Sequence, residues 1–337
     1  MFPVFIWGVG FFAAFRGLTV ADLAGALKLT PKNKHNVLRH LSCVIILVTV
    51  WIISGISTVL SAPITFNTAL PVAEDEFIGR VQYVINQSDD DPSGANRDRT
   101  VQTIVSVLGY GVNSKLAVFG VLPYRDNELK LTMGGQHNTR ETSGLGDVML
   151  FGRYTVLQRD RPGRNFRVAP FAGFKAPTGD GDDGDALGTL PASVQVGSGA
   201  WDLFGGIVAT YQTLDYQIDA QVSYRANNEA NNFEAGDVMR LDGSLQYRLW
   251  PRTLNGGVPG FLYGVIEANL VNQDKNHVGS SDDPNSGGAR LFLTPGIQYV
   301  TKRWIVEAAV QLPVVQDLNG TALENDYILR VGFRVNF

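Results

Sequence analysis

The chain has 337 residues, with 28 lysines and arginines against 32 aspartates and glutamates, and a single cysteine. A net charge of −4 excludes the basic stripe of a nucleic-acid binder, and a charged fraction of 18% argues against disorder. One cysteine excludes a disulfide scaffold, a c-type haem attachment site and a thiolate zinc site. The 37 glycines, 18 phenylalanines and 11 tyrosines, against 4 methionines, favour a β-rich fold.

The N-terminal part has the pattern of a targeting segment. A basic stretch from Lys32 to His40 precedes an uncharged apolar run, Leu41–Ile53, and small residues follow up to Ala62. This order predicts a secretory signal peptide over 32–61, because the apolar run is short for a membrane-spanning helix. Pro63 disfavours cleavage after Ala62, so cleavage after Ser61 is expected.

Two further features of this region bear on processing. Cys43 lies at the start of the apolar run and not after it, which argues against a lipid anchor. Residues 1–31 are an uncertain N-terminal extension, either the product of a start codon assigned too early or a genuine additional membrane segment. The domain plan is then a periplasmic N-terminal segment over 62–75 and a β-barrel over 76–337.

The exported part is dominated by alternating strands. From Tyr216 to Arg225 apolar and polar residues alternate without exception, and similar patterns recur at 238–250, 290–300 and 303–313. The polar faces carry charged residues at mid-strand, which a dry core tolerates only in pairs and a wet lumen tolerates easily. The pattern therefore predicts an all-β, transmembrane, antiparallel up-and-down barrel whose apolar faces meet lipid.

Twelve strands are expected, near 76–88, 100–111, 114–124, 144–157, 166–176, 200–213, 215–226, 237–250, 260–271, 289–300, 303–313 and 325–337. Short connections alternate with long, polar, acidic ones at 89–99, 125–143, 177–199, 227–236, 272–288 and 314–324. Short periplasmic turns and long outer loops are typical of such barrels, and an even strand number places both termini in the periplasm.

The C-terminus and the aromatic residues support this fold. Apolar residues occupy alternate positions from Tyr327 to Phe337, and Phe337 is the last residue. A final strand of this kind resembles the signal that the barrel-assembly machinery of outer membranes recognises. Aromatic residues near the predicted strand ends suit the interfacial girdles of a barrel.

Candidate catalytic and metal sites are few. His137 and His277 lie in predicted outer loops, and neither has a nucleophile at a suitable spacing. Asp180, Asp182, Asp183 and Asp185 resemble the oxygen-rich part of a calcium loop, but the downstream glutamate of such a loop is missing. Solvated loop residues are the expectation in both cases, with no metal and no cofactor.

The polar strand faces supply the candidate substrate-binding residues of the lumen. They are Arg80, Arg153, Arg167, Lys175, Arg225, Arg240, Asp242, Arg248, Glu267, Arg290, Glu307, Arg330 and Arg334. Arg303, Asp147, Asp202 and Asp219 complete the same faces, on which basic residues outnumber acidic ones. Two interpretations stay open: a pore that favours anions, or arginine–carboxylate pairs that fill and stiffen a narrow barrel.

Three short motifs then suggest a family. GLGD at 144–147, KAPTGD at 175–180 and GSGAWD at 197–202 occur in this order around predicted strand ends. In order and spacing they resemble the outer-membrane family named for the meta-pathway of phenol degradation, over roughly residues 76–337. The resemblance implies a barrel channel linked to uptake of aromatic or hydrophobic compounds, with no catalytic residues, and so not an enzyme.

The sequence thus predicts a channel in the outer membrane of a Gram-negative bacterium for passive uptake of small organic solutes. Aromatic or hydrophobic compounds, or their anions, would pass through a basic lumen. The alternatives are a barrel hydrolase with an active site in the loops and a barrel scaffold that houses a partner protein. The expected partners are outer-membrane lipid, the assembly machinery and a small solute, and no nucleic acid.

Overall fold

The computed structural model describes residues 61–253 and 260–337, and the predicted signal peptide up to Leu60 and the extension at 1–31 lie outside these residues. Every regular element in the described part is a β-strand. No helix there is long and apolar enough to cross a membrane.

The described strands, numbered along the chain, are β1 Phe77–Ser88, β2 Asp98–Gly111, β3 Leu116–Met133, β4 Gln136–Leu145, β5 Val148–Tyr154, β6 Leu157–Arg161, β7 Arg164–Ala176, β8 Gly184–Asp185, β9 Gly188–Thr189, β10 Asp202–Thr213, β11 Tyr216–Ala226, β12 Phe233–Glu234, β13 Val238–Trp250, β14 Phe261–Gln273, β15 His277–Val278, β16 Ser281–Asp282, β17 Gly288–Val300, β18 Trp304–Leu318 and β19 Tyr327–Asn336.

The long strands form one closed antiparallel barrel. Each pairs with its neighbours in chain order, and β19 returns to pair with β1 from Asn336 opposite Ile78 to Tyr327 opposite Gln87. β4, β5 and β6 are consecutive segments of a single wall strand, since β4 and β5 both pair with β3 while β5 and β6 both pair with β7. Counted this way the barrel has twelve strands, which confirms the predicted fold.

The inner and outer faces follow the predicted alternation. On β11, Ile218, Val222 and Tyr224 are exposed on the outer face, whereas Gln217 and Asp219 are buried on the inner face. Similar apolar side chains cover the outside of the neighbouring strands, including Leu241 and Leu245 of β13. A closed barrel with an apolar exterior and a polar interior satisfies its backbone and its side chains within a bilayer.

The two ends of the barrel differ. Short connections join the strands at one end, called the turn end, where Phe77 and Phe337 also close the barrel seam. Their backbones exchange two hydrogen bonds, N–O 2.7 and 3.0 Å, and their rings stack with centroids 5.7 Å apart. The longer connections leave from the opposite end, called the loop end.

One predicted loop is instead an extended hairpin. β3 runs on to Met133 and β4 begins at Gln136, so most of 125–143 is paired sheet. The connection 177–199 packs on the inner face of this hairpin, where Leu129 contacts Leu190 and Val194. Lys130 points outward on the extension, whereas Leu129 and Leu131 point inward, so the alternation of a membrane strand is reversed where the hairpin projects beyond the apolar belt.

Candidate functional site: the barrel lumen

The chain segment before β1 lies inside the lumen. Val72 packs on Ala117 and Phe119 near the turn end, and Ala69 packs on Ala169, Phe171 and Val208. The backbone N–H of Asn67 donates to Gln221 at mid-barrel, while Ser61 hydrogen-bonds Gln246 and Gln298, back toward the turn end. Residues 61–72, called here the N-terminal arch, therefore rise into the lumen and descend again.

Buried charged side chains hold the arch in place. The Glu267 carboxylate accepts from the backbone N–H groups of Ile64 and Thr65, N–O 2.7 and 3.1 Å, and from the Thr65 hydroxyl. Arg80 donates to the Ile64 carbonyl oxygen at 2.7 Å and to Glu307 at 2.5 Å. Two residues of the predicted lumen set thus bind the chain itself.

The segment 62–75, expected to be periplasmic, lies in part against the inner face of the barrel. Ser61, Ala62, Ile64 and Ala69 are almost fully buried, and their partners are side chains of the inner barrel face. Without those long-range contacts, a short segment that contains Pro63 and Pro71 looks like a simple linker.

The predicted lumen residues all lie on the inner face, as the strand registers require, and most of the charged ones are paired. The ion pairs are Arg80–Glu307 at 2.5 Å, Arg334–Glu307 at 3.9 Å, Lys175–Asp202 at 2.5 Å, Lys175–Asp147 at 3.3 Å, Arg167–Asp160 at 3.2 Å, Arg240–Asp242 at 3.1 Å and Arg248–Asp215. Arg153 donates to the carbonyl oxygen of Leu70 in the arch, at 2.6 Å. Arg303 is different, because it is exposed in the turn before β18.

Three further arginines of the predicted lumen set have no carboxylate partner among the described residues. Within 61–253 and 260–337, Arg225 and Arg290 make no hydrogen bond or ion pair, and the Nε atom of each is buried without a partner. Arg330 donates from Nε to Gln311 at 2.7 Å and has no carboxylate in contact. The basic excess of the polar faces is therefore concentrated toward the loop end.

Sequence analysis missed two arginines of the same region. Arg99 and Arg125 face inward from β2 and β3, and the guanidinium group of Arg99 is repelled by those of Arg125 and Arg290. The predicted strands began at residue 100 and ended at 124, so both arginines fell just outside them. If the first of these strands had been predicted to begin one residue earlier and the second to end one residue later, both arginines would have been counted among the inward-facing residues.

The three sequence motifs meet at one point of the loop end. Lys175 of KAPTGD lies between Asp147 of GLGD and Asp202 of GSGAWD. The Asp147 carboxylate also accepts from the backbone N–H groups of Gly179 and Ser198, at 3.1 and 2.9 Å. The motifs thus anchor the connection 177–199 to the barrel wall.

Glycine is required where these motifs cross. A Cβ atom at Gly197 would lie 2.2 Å from the carbonyl oxygen of Gly179, and one at Gly179 would lie 2.8 Å from that of Leu145. No side chain fits at such distances, so the glycines of the motifs permit close backbone packing.

A cavity of about 620 Å³ occupies the remaining lumen. It extends beside the arch from Ile78 and Asn336, near the turn end, to Arg225, Val238 and Gln273 at the loop end. A volume of this size suits a small organic molecule.

The cavity has two unlike walls. Strands β2, β3, β5, β7 and β10 contribute apolar side chains, namely Val105, Val107, Phe119, Val121, Met149, Phe151, Phe171 and Phe204. Arg153 of β5 also lines this apolar wall, with its guanidinium group 4.8 Å from the centre of the Phe119 ring. The opposite wall contributes Arg80, Gln82, Gln221, Ser223, Arg225, Arg240, Gln273, Arg330 and Arg334. A solute in this cavity can contact hydrocarbon and cationic groups at the same time.

Four phenylalanines form the centre of the apolar wall. The rings of Phe119 and Phe151 stack with centroids 4.8 Å apart, and Phe171 and Phe204 meet Phe151 edge-on at 6.2 and 6.0 Å. These four residues are called here the phenylalanine cluster. Ring edges and faces arranged in this way offer favourable contacts to another aromatic ring.

The loop residues singled out from the sequence do not form a metal or catalytic site. Asp183 accepts from Thr142, and Asp185 pairs with Arg140 at 2.6 Å. The hydrogen bond from Arg140, with one from the Leu187 backbone, lowers the pKa of Asp185. In the described part of the chain no three His, Cys, Asp or Glu side chains are grouped to hold a metal ion.

The two loop histidines are placed on separate sheets. His137 of β4 contacts the Thr132 hydroxyl at 3.2 Å, and His277 of β15 contacts Asp282 at 3.0 Å. Among the residues described, no serine, threonine or cysteine completes a hydrogen-bonded nucleophile–base–acid set around either ring.

Comparison with solved structures supports the fold. An outer membrane channel from Pseudomonas putida F1 is 11% identical, covers 82% of this chain and 100% of its own, and superposes with a TM-score of 0.61. The β-domain of the Bordetella autotransporter BrkA is 14% identical over 78% of this chain and 100% of its own, with a TM-score of 0.48. The CymD monoaromatic hydrocarbon channel is 10% identical over 79% of this chain and 89% of its own, with a TM-score of 0.39.

No curated protein is similar enough in sequence to count as a match. The family model described as "Putative MetA-pathway of phenol degradation" matches residues 86–314, which is more than half of the chain and runs from β1 into β18. With its closed twelve-stranded barrel and apolar exterior, the protein is an outer-membrane β-barrel of the Gram-negative type, and it belongs to this phenol-degradation family.

Proposed function

We propose that this barrel is a passive channel for small aromatic or hydrophobic compounds and their anions. The observation that carries the proposal is the cavity of about 620 Å³, which has the phenylalanine cluster on one side and arginines on the other. The turn end, with both termini, would face the periplasm, because short turns lie on that side in bacterial barrels.

Two comparisons support the channel role. The Pseudomonas putida neighbour, which shares the fold, is an outer membrane channel. The name of the family refers to phenol degradation, a pathway whose aromatic substrates must first cross the outer membrane. No nucleotide-binding motif occurs in the sequence, so transport would follow the solute gradient.

The arch gives the proposal a definite geometry. It fills the middle of the lumen and leaves the cavity as the space beside it, so the passage is much narrower than an empty barrel of twelve strands. Such a passage would admit flat or slender solutes and restrict bulky hydrophilic ones.

The alternatives fare less well. A scaffold that houses a folded partner needs an empty lumen, whereas the chain's own arch occupies this one. A hydrolase of the loops needs a nucleophile, a base and a group that orients the base. Among the described residues His137 contacts the Thr132 hydroxyl without an acid, and His277 contacts Asp282 without a hydroxyl or thiol.

Transport across reconstituted membranes tests the proposal. Proteoliposomes loaded with an enzyme that oxidises catechol should consume external catechol faster than liposomes with heat-denatured protein, whereas raffinose should enter both at the same slow rate. Equal catechol rates in the two preparations would refute the channel.

A further inference from the structure

We infer that Arg225, Arg240 and Arg330 form a carboxylate-binding subsite beside the phenylalanine cluster, so that the preferred solutes are aromatic acids in their anionic form. The inference rests on the proposed function and names a solute class for the same lumen. The first observation is that these three positively charged side chains line the same cavity.

The three guanidinium groups are close and insufficiently compensated. Arg240 lies opposite Ser223, so Arg225 is its diagonal neighbour across β11 and β13. Arg240 repels both Arg225 and Arg330 electrostatically. Three like charges in a partly desolvated lumen are unfavourable unless an anion joins them.

The available carboxylates are already engaged. Asp242 accepts from Arg240 but also from Gln221 and Asn269, at 3.2 and 2.9 Å. Asp202, the acid that attracts Arg225, is held by Lys175 at 2.5 Å.

Free donors remain on all three arginines. Arg330 makes its hydrogen bond to Gln311 from Nε, Arg240 bonds Asp242 from Nη2, and Arg225 makes none within the described part of the chain, so terminal N–H groups of each remain available to a solute. A carboxylate has two oxygens and about four lone-pair sites, so it can accept from several guanidinium N–H groups at once. A neutral hydroxyl has one oxygen and no charge, so it gains much less from the same donors.

The aromatic part of the solute has a place next to this subsite. Phe204 is the direct register partner of Arg225 on β10, and its ring meets Phe151 edge-on at 6.0 Å. A ring attached directly to a carboxylate would therefore reach the phenylalanine cluster while the carboxylate stays among the arginines. The same geometry offers nothing to an anion that lacks an apolar body.

Equilibrium binding to the purified full-length protein in detergent tests the subsite. Benzoate is the probe, benzyl alcohol is its neutral analogue of similar size, and acetate is the anion without a ring. The wild-type protein should bind benzoate. Benzyl alcohol should bind about tenfold or more weakly because it lacks the charge that strengthens hydrogen bonds to the arginines. Acetate should also bind more weakly than benzoate because it lacks the ring that contacts the phenylalanine cluster.

Arginine substitutions distinguish binding at the subsite from a general effect of positive charge in the lumen. Arg225→Gln and Arg330→Gln should each weaken benzoate binding about tenfold or more, because each removes charged hydrogen-bond donors. The affinity for benzyl alcohol should stay unchanged. Arg248→Gln is the matched control, because Arg248 faces inward on the same strand as Arg240 but pairs with Asp215 at the turn end and does not line the cavity. It should bind benzoate like the wild type.

Three results would overturn the inference: no benzoate binding by folded wild-type protein, equal affinity for benzoate and benzyl alcohol, or equal losses in all three variants. Heat-modifiable mobility on gels verifies folding in each case. If the channel proposal alone fails, benzoate still binds selectively but catechol does not enter the proteoliposomes, so the two failures are distinguishable.

Discussion

Replacing Glu267 by alanine should release the N-terminal arch from the lumen. The carboxylate is fully buried and is the shared acceptor for the backbone N–H groups of Ile64 and Thr65. If each charge-assisted hydrogen bond contributes about 1.5–3 kcal/mol, losing both weakens docking by roughly 3–6 kcal/mol, or about two to four orders of magnitude in the docking equilibrium.

Two measurements would detect release of the arch from the lumen. Single-channel conductance should rise in Glu267→Ala, because the undocked arch vacates the middle of the lumen. A cysteine introduced by Phe66→Cys, at the top of the arch and facing the cavity, should react with a maleimide faster by a similar factor when release limits the reaction. The natural Cys43 lies in the predicted signal peptide, so no other thiol is expected in the processed chain.

Asp202→Ala provides the control, because Asp202 is a buried lumen carboxylate whose partners, Lys175 and the Asn228 backbone, do not bond the arch. It should leave conductance and labelling near their wild-type values. Unchanged conductance and labelling in Glu267→Ala, or equal changes in the two variants, would refute the view that Glu267 holds the arch.

Three other predictions concern the wall, the seam and the loops. Val222→Arg places a charge on the outer face and should lower the free energy of unfolding by about 2–4 kcal/mol near the bilayer midplane. Ser223→Arg, inside the lumen, should lower it far less. Chemical denaturation in lipid vesicles compares the two variants, and equal losses would mean that the strand register is wrong by one residue. Deletion of Phe337 removes two backbone hydrogen bonds and a stacked ring at the seam, so the heat-modifiable folded fraction in outer membranes should fall; an undiminished fraction would contradict a role in closure or assembly. The pKa of Asp185 is lowered by Arg140, so this contact stabilises the loop at neutral pH and is lost as the pH falls below about 4. Because pepsin itself becomes more active with acidity, the two proteins are compared at the same pH. Pepsin should cleave 177–199 faster in Arg140→Gln than in the wild type at about pH 5, and this difference should disappear as the pH falls below about 4. A ratio of the two rates that does not change with pH would count against the contact.

The strand positions and their faces could be predicted because they follow from local alternation. Tyr216 to Arg225 shows this most clearly, since each residue type matches the face on which the structure places it. Alternation misleads where the environment is reversed. On the extension of β3 to Met133 the outer face is polar, and Leu129 and Leu131 pack under the connection 177–199, so the pattern of a membrane strand does not identify it.

The contents of the lumen could be predicted only in part. Counting the charged residues on the polar faces predicted an excess of arginine. It could not predict which arginines are paired with carboxylates, because the partners lie on strands far apart in sequence, as Arg80 and Glu307 do. The arch was missed for the same reason. Most of its hydrogen bonds join residues about 140 to 240 positions apart, although Arg80 and Arg153 are nearer, and no short motif encodes such separations.

The arch links the first residues of the described chain to the completion of the barrel. Its partner Arg80 on β1 is itself paired with Glu307 on β18, and these two side chains meet only when β19 has joined β1 and closed the seam. A barrel with an open seam therefore lacks the Arg80–Glu307 pair that supports the carbonyl group of Ile64. Full seating of the arch and closure of the wall are thereby coupled.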